Sequence, residues 1–271
     1  MNIEQLTQMC RDMKLKALDM AVHAGAFGSH IGGGFSIMEI LASLYDVANI
    51  KPEDESRDRI IVSKAHCVLA LDTVLWQKGF VTDEDLDTFD QNGTDYYGHA
   101  HRNVAKGIEF SGGSLGLGAS YAIGVAKACK MKNMTNRIFA ILGDGECDEG
   151  IVWEAMMSAS SFNLHNLTMI VDRNKYQLDG PTEDVMNQFS LEDKFKAFGF
   201  DVETVDGHNL IALHDVFSKQ NAGKPKAIIA DTIKAHGISF LENNKLSHQC
   251  ALSPKKYEKA KAEILAAYDN K

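Results

Sequence analysis

Arg137-Ile-Phe-Ala-Ile-Leu-Gly-Asp-Gly145 and, after one helical stretch, Leu167-Thr-Met-Ile-Val-Asp-Arg-Asn174 are the two segments that decide the fold. Each is a continuous apolar run ending abruptly in polar residues. Unbroken runs of this kind predict strands covered on both faces, as in a parallel sheet packed between helices. The segment between them, about Gly150 to Phe162, has helical periodicity. A strand–helix–strand unit brings the two carboxyl ends to one edge of the sheet, where ligands bind in open α/β folds. Asp144 and Asn174 would then lie side by side, with 28 residues between Gly145 and Asn174.

The same alternation extends in both directions. Upstream, Ile3, Leu6, Met9, Cys10, Met13, Ala17 and Met20 recur at helical spacing. Gly28-Ser-His-Ile-Gly-Gly-Gly34 reads as a glycine-rich loop, with a helix from about Ser36 to Val47 after it. Residues 51–58 read as a charged surface loop. Asp58–Ser63 reads as a strand and Cys67–Lys78 as a helix. Asp90–Gly118 has little periodicity, and so long a loop in a compact domain is usually functional or disordered. Leu117–Lys130 is helical. Downstream come a helix over Leu191–Phe198, a strand near Asp201–Val205, a helix near Leu210–Ser218 and a strand over Lys226–Asp231. A last helix spans 254–268, with Ser253 as its cap and Pro254 in its first turn. The expectation is an α/β fold, a parallel sheet with helices on both faces, in one domain over residues 1–271.

The chain of 271 residues carries a formal net charge of −9. That sign disfavours nucleic acid and anionic membrane as partners. No apolar run reaches the roughly 18 residues that would span a bilayer. Cys10, Cys67, Cys129, Cys147 and Cys250 are scattered and odd in number, which predicts reduced thiols and a cytoplasmic location. An acidic protein that binds a phosphorylated ligand must do so locally. One carboxylate and one amide oxygen at a strand edge suit Mg²⁺, which takes oxygen ligands and shares phosphate oxygens with the ligand. Gly143 and Gly145 allow the backbone to approach closely.

Taken with their surroundings, Gly143-Asp-Gly-Glu-Cys-Asp-Glu149 and Val171-Asp-Arg-Asn-Lys-Tyr176 resemble the thiamine diphosphate signature of transketolases. The similarity runs from Ser29-His30 to His248. It implies the thiamin-diphosphate-binding fold, in its diphosphate-binding form. It further implies Asp144, Asn174 and the Tyr176 carbonyl as ligands of Mg²⁺, Ca²⁺ or Mn²⁺. Gly145 would contact the diphosphate, and Glu149 would lie at a subunit interface beside the cofactor. Gly113-Ser-Leu-Gly116 resembles the family's Gly-Pro-Leu-Gly turn, so Gly113, Ser114 and Leu115 would meet the aminopyrimidine ring. Ser114 in place of Pro loosens that turn, because Pro fixes φ.

Four histidines sit in segments similar to the family's. Ser29-His30, Ser63-Lys-Ala-His66, Gly98-His99 and Asn243-Asn-Lys-Leu-Ser-His248 imply roles for His30, His66, His99 and His248. These are holding sugar oxygens and moving protons, with His66 also contacting the cofactor. Neutral imidazole both donates and accepts, as reversible carbon–carbon cleavage requires. His23, His101, His165, His208, His214 and His236 read as packing or surface residues. His99-Ala-His101 lacks a third ligand at zinc spacing.

The resemblance covers only the diphosphate-binding part of the family. It therefore implies a partner chain carrying the pyrimidine-binding and C-terminal domains, paired into a heterotetramer. The reaction implied is transfer of a two-carbon ketol unit from a ketose, as a sugar phosphate, to an aldose. Two other readings share part of the pattern. One is another thiamine diphosphate enzyme, such as a 2-oxoacid dehydrogenase alpha subunit or a deoxyxylulose-phosphate synthase. The other is a non-catalytic scaffold subunit.

Overall fold

A computed structural model describes residues 1–269; the last two positions of the expected 1–271 domain lie outside the described residues. The elements run α1 (Ile3–His23), α2 (Ile31–Ser36), α3 (Met38–Val47), β1 (Arg59–Val62), α4 (Val68–Gln77), α5 (Asp83–Asp87), α6 (Leu117–Met131) and β2 (Ile138–Gly143). They continue with α7 (Gly150–Ser161), β3 (Leu167–Arg173), α8 (Thr182–Val185), α9 (Leu191–Ala197), β4 (Asp201–Asp206), α10 (Leu210–Ser218), β5 (Lys226–Asp231) and α11 (Pro254–Asp269). The sheet has five strands in the order β1-β2-β3-β5-β4, and every pairing is parallel.

Strand residues alternate between two cores, as the pleat demands. Phe139, Ile141, Ile170 and Ile228 face the layer built by α1, α3, α4 and α10. Ile138, Ala140, Leu142, Met169, Val171 and Ile229 face α6, α7 and α9. β2, β3 and β5 are buried on both sides, which is why they read as near-continuous apolar runs, whereas the edge strand β4 is half exposed and largely polar.

Two local expectations are corrected, and one unassigned segment gains a helix. Gly32-Gly33-Gly34 is not loop but the body of α2. Glycine in a helix costs about 1 kcal/mol relative to alanine, and close packing offsets that cost here. A Cβ on Gly32 would sit 2.7 Å from Ser247 Oγ, and one on Gly33 would sit 3.1 Å from both Cys67 Sγ and His66 Nε2. The 51–58 segment is not wholly surface. Arg57 and Asp58 are buried, with Arg57 Nε 3.0 Å from Glu109 and Asp58 2.6 Å from Arg137. The segment before Asp90, left unassigned by periodicity, holds α5. It is started by a capping box in which the Thr82 hydroxyl accepts from the Asp85 amide and the Asp85 carboxylate from the Thr82 amide.

The topology sets four strand ends side by side. Lys64 follows β1, Asp144 follows β2, Asp172 lies at the end of β3 with Asn174 just after it, and Thr232 and Lys234 follow β5. α6 is pressed onto the first of these ends, where a Cβ on Gly118 would sit 2.5 Å from Ser63 Oγ.

Candidate active site

Asp144 is buried at the end of β2. Its Oδ1 accepts from the Gly145 amide at 2.8 Å, and its Oδ2 accepts from the Lys175 amide at 2.7 Å and the Thr182 hydroxyl at 3.2 Å. Burial, reinforced by the nearby Asp172 carboxylate, pushes its pKa up to about 6 against those donors and Lys64. Asn174 is buried alongside it. The Asn174 side-chain oxygen accepts from the Tyr176 amide at 3.1 Å. Lys175 adopts a left-handed φ of 65°, turning the chain so that Tyr176 pairs with Pro181. Gly145 is required by space, because a Cβ there would meet Gln177 Cγ at 2.7 Å.

Glu146, the next carboxylate, is buried and spent on backbone. It accepts from the Ser63 hydroxyl, from the Gly116 amide at 2.7 Å and from the Gly143 amide at 3.0 Å. One side chain thus pins the Gly113-Ser-Leu-Gly116 turn to the end of β2. Burial raises its pKa despite the three donors.

Above this floor stand four histidines from four separate segments. The His30 ring centroid lies 5.4 Å from His66, 5.1 Å from His99 and 5.3 Å from His248; His66 and His248 are also 5.3 Å apart. A two-residue bridge closes the outer pair of segments, with Ser29 and Cys250 exchanging amide hydrogen bonds at 3.1 Å. Burial, followed by neighbouring histidines and lysines, lowers the pKa of His30 and His248 to about 4 and that of His66 well below its usual value. Burial also lowers that of His99. In each case the shift favours the neutral ring.

Two lysines complete the cleft. Lys64 is ion-paired with Asp172. Lys234 donates to the Tyr176 carbonyl at 3.3 Å and the Gln177 carbonyl at 3.0 Å, and its Nζ lies 3.4 Å from His248 Nδ1. Burial, with the Lys64 charge, lowers its pKa to about 8.

The cleft enclosed by these groups measures about 260 Å³. It is lined by His30, His66, His99, His248, Gly113, Leu115, Asp144, Gly145, Asn174 and Tyr176 together with Lys64 and Lys234. A larger open groove of about 670 Å³ shares Asp144 and Tyr176. Its Arg173 and Asp231 are bound to each other at 2.7 Å, and none of the four clustered histidines lines it, whereas all four line the smaller cleft.

Two residues named from the sequence stand outside the lining. Ser114 and Glu149 are both exposed, and Glu149 occupies the capping position of α7 beside Gly116. Sequence reasoning passed over Lys64, Glu146, Asp172 and Lys234. Glu146 and Asp172 lie inside the signature itself, and Lys64 sits between Ser63 and His66. Lys234 follows its strand as Asn174 follows β3, so the strand-end rule was the available signal for it.

The sequence matches the family model described as transketolase, thiamine diphosphate binding domain, over residues 6–268. The chain belongs to the transketolase family. Among the family's members, the 6-deoxy-6-sulfo-D-fructose transketolase subunit SqwG of Clostridium sp. (strain MSTE9) is 40% identical over 87% of this chain and 88% of its own length. An apulose-4-phosphate transketolase subunit of Phocaeicola vulgatus is 35% identical over 97% of this chain and 95% of its own. The crystal structure of transketolase from Campylobacter jejuni superposes with a TM-score of 0.88 at 28% identity, covering 97% of this chain and 43% of that one. This transketolase-family chain therefore spans less than half of the solved transketolase and nearly all of relatives named as subunits. It is a thiamine diphosphate binding chain of the transferase class. Among the described residues, no helix is long and apolar enough to cross a membrane.

Proposed function

We propose that this chain is the cofactor-holding subunit of a two-chain transketolase that moves a two-carbon ketol unit from a ketose to an aldose. The observation that carries the reading is convergence: four neutral histidines stand over an oxygen-only donor set in one cleft. A carboxylate, an amide oxygen and a main-chain carbonyl, from Asp144, Asn174 and Tyr176, suit Mg²⁺, Ca²⁺ or Mn²⁺. A cation there would also offset the burial that pushes Asp144 up to about 6. The residues present therefore fit the group. Gly145 offers its backbone to the diphosphate and His66 a ring nitrogen. Gly113, Ser114 and Leu115 form the turn for the aminopyrimidine.

Thiamine diphosphate, when bound, supplies the carbon nucleophile that carries the two-carbon unit. His30, His99 and His248 orient the sugar's hydroxyl and carbonyl oxygens and exchange protons with them. Their neutrality suits both directions of transfer, since each ring can donate at one nitrogen and accept at the other. Glu149, exposed beside the Gly116 turn, meets the partner subunit, which brings the pyrimidine-binding domain. The described fold is proposed as a single domain, assembled with that partner as a heterotetramer in the cytoplasm.

The relatives point to sugar phosphates or sulfonated sugars as donors. The test is a panel of ketose phosphates and a sulfo-ketose, with aldose acceptors, run on this chain with and without its partner. Ketol transfer that requires both chains is expected. Substantial transfer by this chain alone contradicts the split, and turnover of 2-oxoacids but not ketoses contradicts the chemistry.

A further inference from the structure

Asp172 is fully buried and stands behind the lining of the cleft rather than in it. Four elements meet on its carboxylate. Oδ2 accepts from Ser36 of α2 at 2.7 Å, from Lys64 after β1, and from the Asn174 side-chain amide at 2.8 Å. Oδ1 accepts from Thr232 after β5. A buried carboxylate is costly unless its acceptors are filled, and here both oxygens are engaged.

The contact with Asn174 has a directional consequence. An ionised carboxylate accepts hydrogen bonds and donates none. Against Asp172, Asn174 can therefore present only its NH₂. Turning the amide over would set two oxygens 2.8 Å apart in a buried site. With the nitrogen fixed, the Asn174 oxygen is forced to the opposite side, toward the Tyr176 amide and the cleft. Lys64 keeps Asp172 an acceptor by pairing with it.

We propose that Asp172, ion-paired to Lys64, is a positioning residue that locks the amide of Asn174 with its oxygen toward the cofactor's cation. The inference rests on the proposed cation site. Outer-shell partners of this kind typically alter metal affinity by about 10- to 100-fold when mutated.

Exchanging the two residues tests the lock. Asp172→Asn removes the charge paired with Lys64 and leaves an amide that can present either its oxygen or its NH₂ to Asn174. Asn174→Asp sets two carboxylates together. Each single change is expected to weaken cation-dependent thiamine diphosphate binding by about 10-fold or more. The double exchange lets the amide at 172 donate to a carboxylate at 174, moves the counter-charge of Lys64 to that residue with the net charge kept, and returns an oxygen to the cleft whichever way the new carboxylate turns. Binding is measured by calorimetry with Mg²⁺ on the tagged chain purified with the subunits that accompany it, and folding by circular dichroism and melting.

Recovery of most of the lost affinity in the double variant is the expected result. A double variant as weak as the product of the two single losses, or a folded Asp172→Asn protein with wild-type affinity, overturns the proposal. If Asp172→Asn does not fold, Asn174→Asp and the exchange still decide it by the same recovery. A wild-type protein that binds thiamine diphosphate equally well without Mg²⁺ overturns the cation site itself, and the lock with it.

Discussion

The protein holds two histidine clusters built on opposite principles. In the cleft, His30, His66, His99 and His248 crowd one another, and none of them takes part in an ion pair among the described residues. Against α1 and α3, His208 and His236 stack at 3.6 Å and the strong contacts are internal. His208 Nδ1 lies 3.1 Å from Glu39, its Nε2 accepts from the Ile233 amide at 2.9 Å, and Glu39 meets the Lys14 ammonium at 2.6 Å. Glu39, His208 and His236 place their ligand atoms within 4.8 Å of one another, but Lys14 already supplies the positive charge a metal would bring. Although burial opposes ionisation, Lys14 and then His208 hold the Glu39 carboxyl well below its usual range. The difference is in who completes the hydrogen bonds. Among the described residues, the ring nitrogens of the first cluster meet the fold only where His248 Nδ1 faces Lys234, and those of His208 are both engaged within the fold.

That contrast can be broken by exchanging what each cluster loses on mutation. His99→Ala should cut turnover of the assembled enzyme by about 10²- to 10⁴-fold, the usual worth of a proton-transfer group. Cofactor affinity and melting temperature should change little. Wild-type turnover would place His99 with the structural histidines.

Glu39→Gln should do the opposite. It strands Lys14 in a buried site, which costs about 3–5 kcal/mol, while turnover of the folded protein is largely unchanged. Denaturant melts give the stability. His208→Ala should cost less, about 1–3 kcal/mol, for the unsatisfied Ile233 amide and the lost partner of Glu39. If Glu39→Gln melts like wild type, the second cluster is not structural.

The smallest effect is in pH dependence. His30 and His248 titrate near 6.5 when unfolded and near 4 when folded. Between those values the unfolded chain binds more protons, so these rings make stability fall as pH drops from 6.5 toward 4 and contribute nothing above. Both are only partly buried, which mutes the effect. Asp144, pushed up to about 6, contributes with the opposite sign. The readout is therefore a difference. A His30→Asn, His248→Asn protein should lose less stability than wild type between pH 6.5 and 4. Parallel curves would show that these rings are not held neutral by the fold.

The centre of the sheet was legible because β2 and β3 are buried on both faces, so Ile138–Gly143 and Leu167–Arg173 announce themselves without help from their neighbours. α2 was not. Three successive glycines signal a loop locally, and only Ser247, Cys67 and Leu69 arriving from elsewhere make a helix there. The cleft divides the same way. Asp144, Asn174 and the histidines follow motif and strand ends. Lys64 and Lys234 look like surface residues in sequence, and their burial appears only when four strand ends are brought together. Asp172 lies within the signature, yet three of its four donors come from residues 36, 64 and 232, separations no local pattern reports.

The most direct test of the account is a thiamine diphosphate titration of the wild-type and Asp144→Ala proteins, each with and without Mg²⁺. Binding by the wild type that requires the cation, and its loss in Asp144→Ala with an unchanged circular dichroism spectrum, is the predicted result. Equal binding by the two folded proteins would contradict the site, and with it the function proposed for this chain.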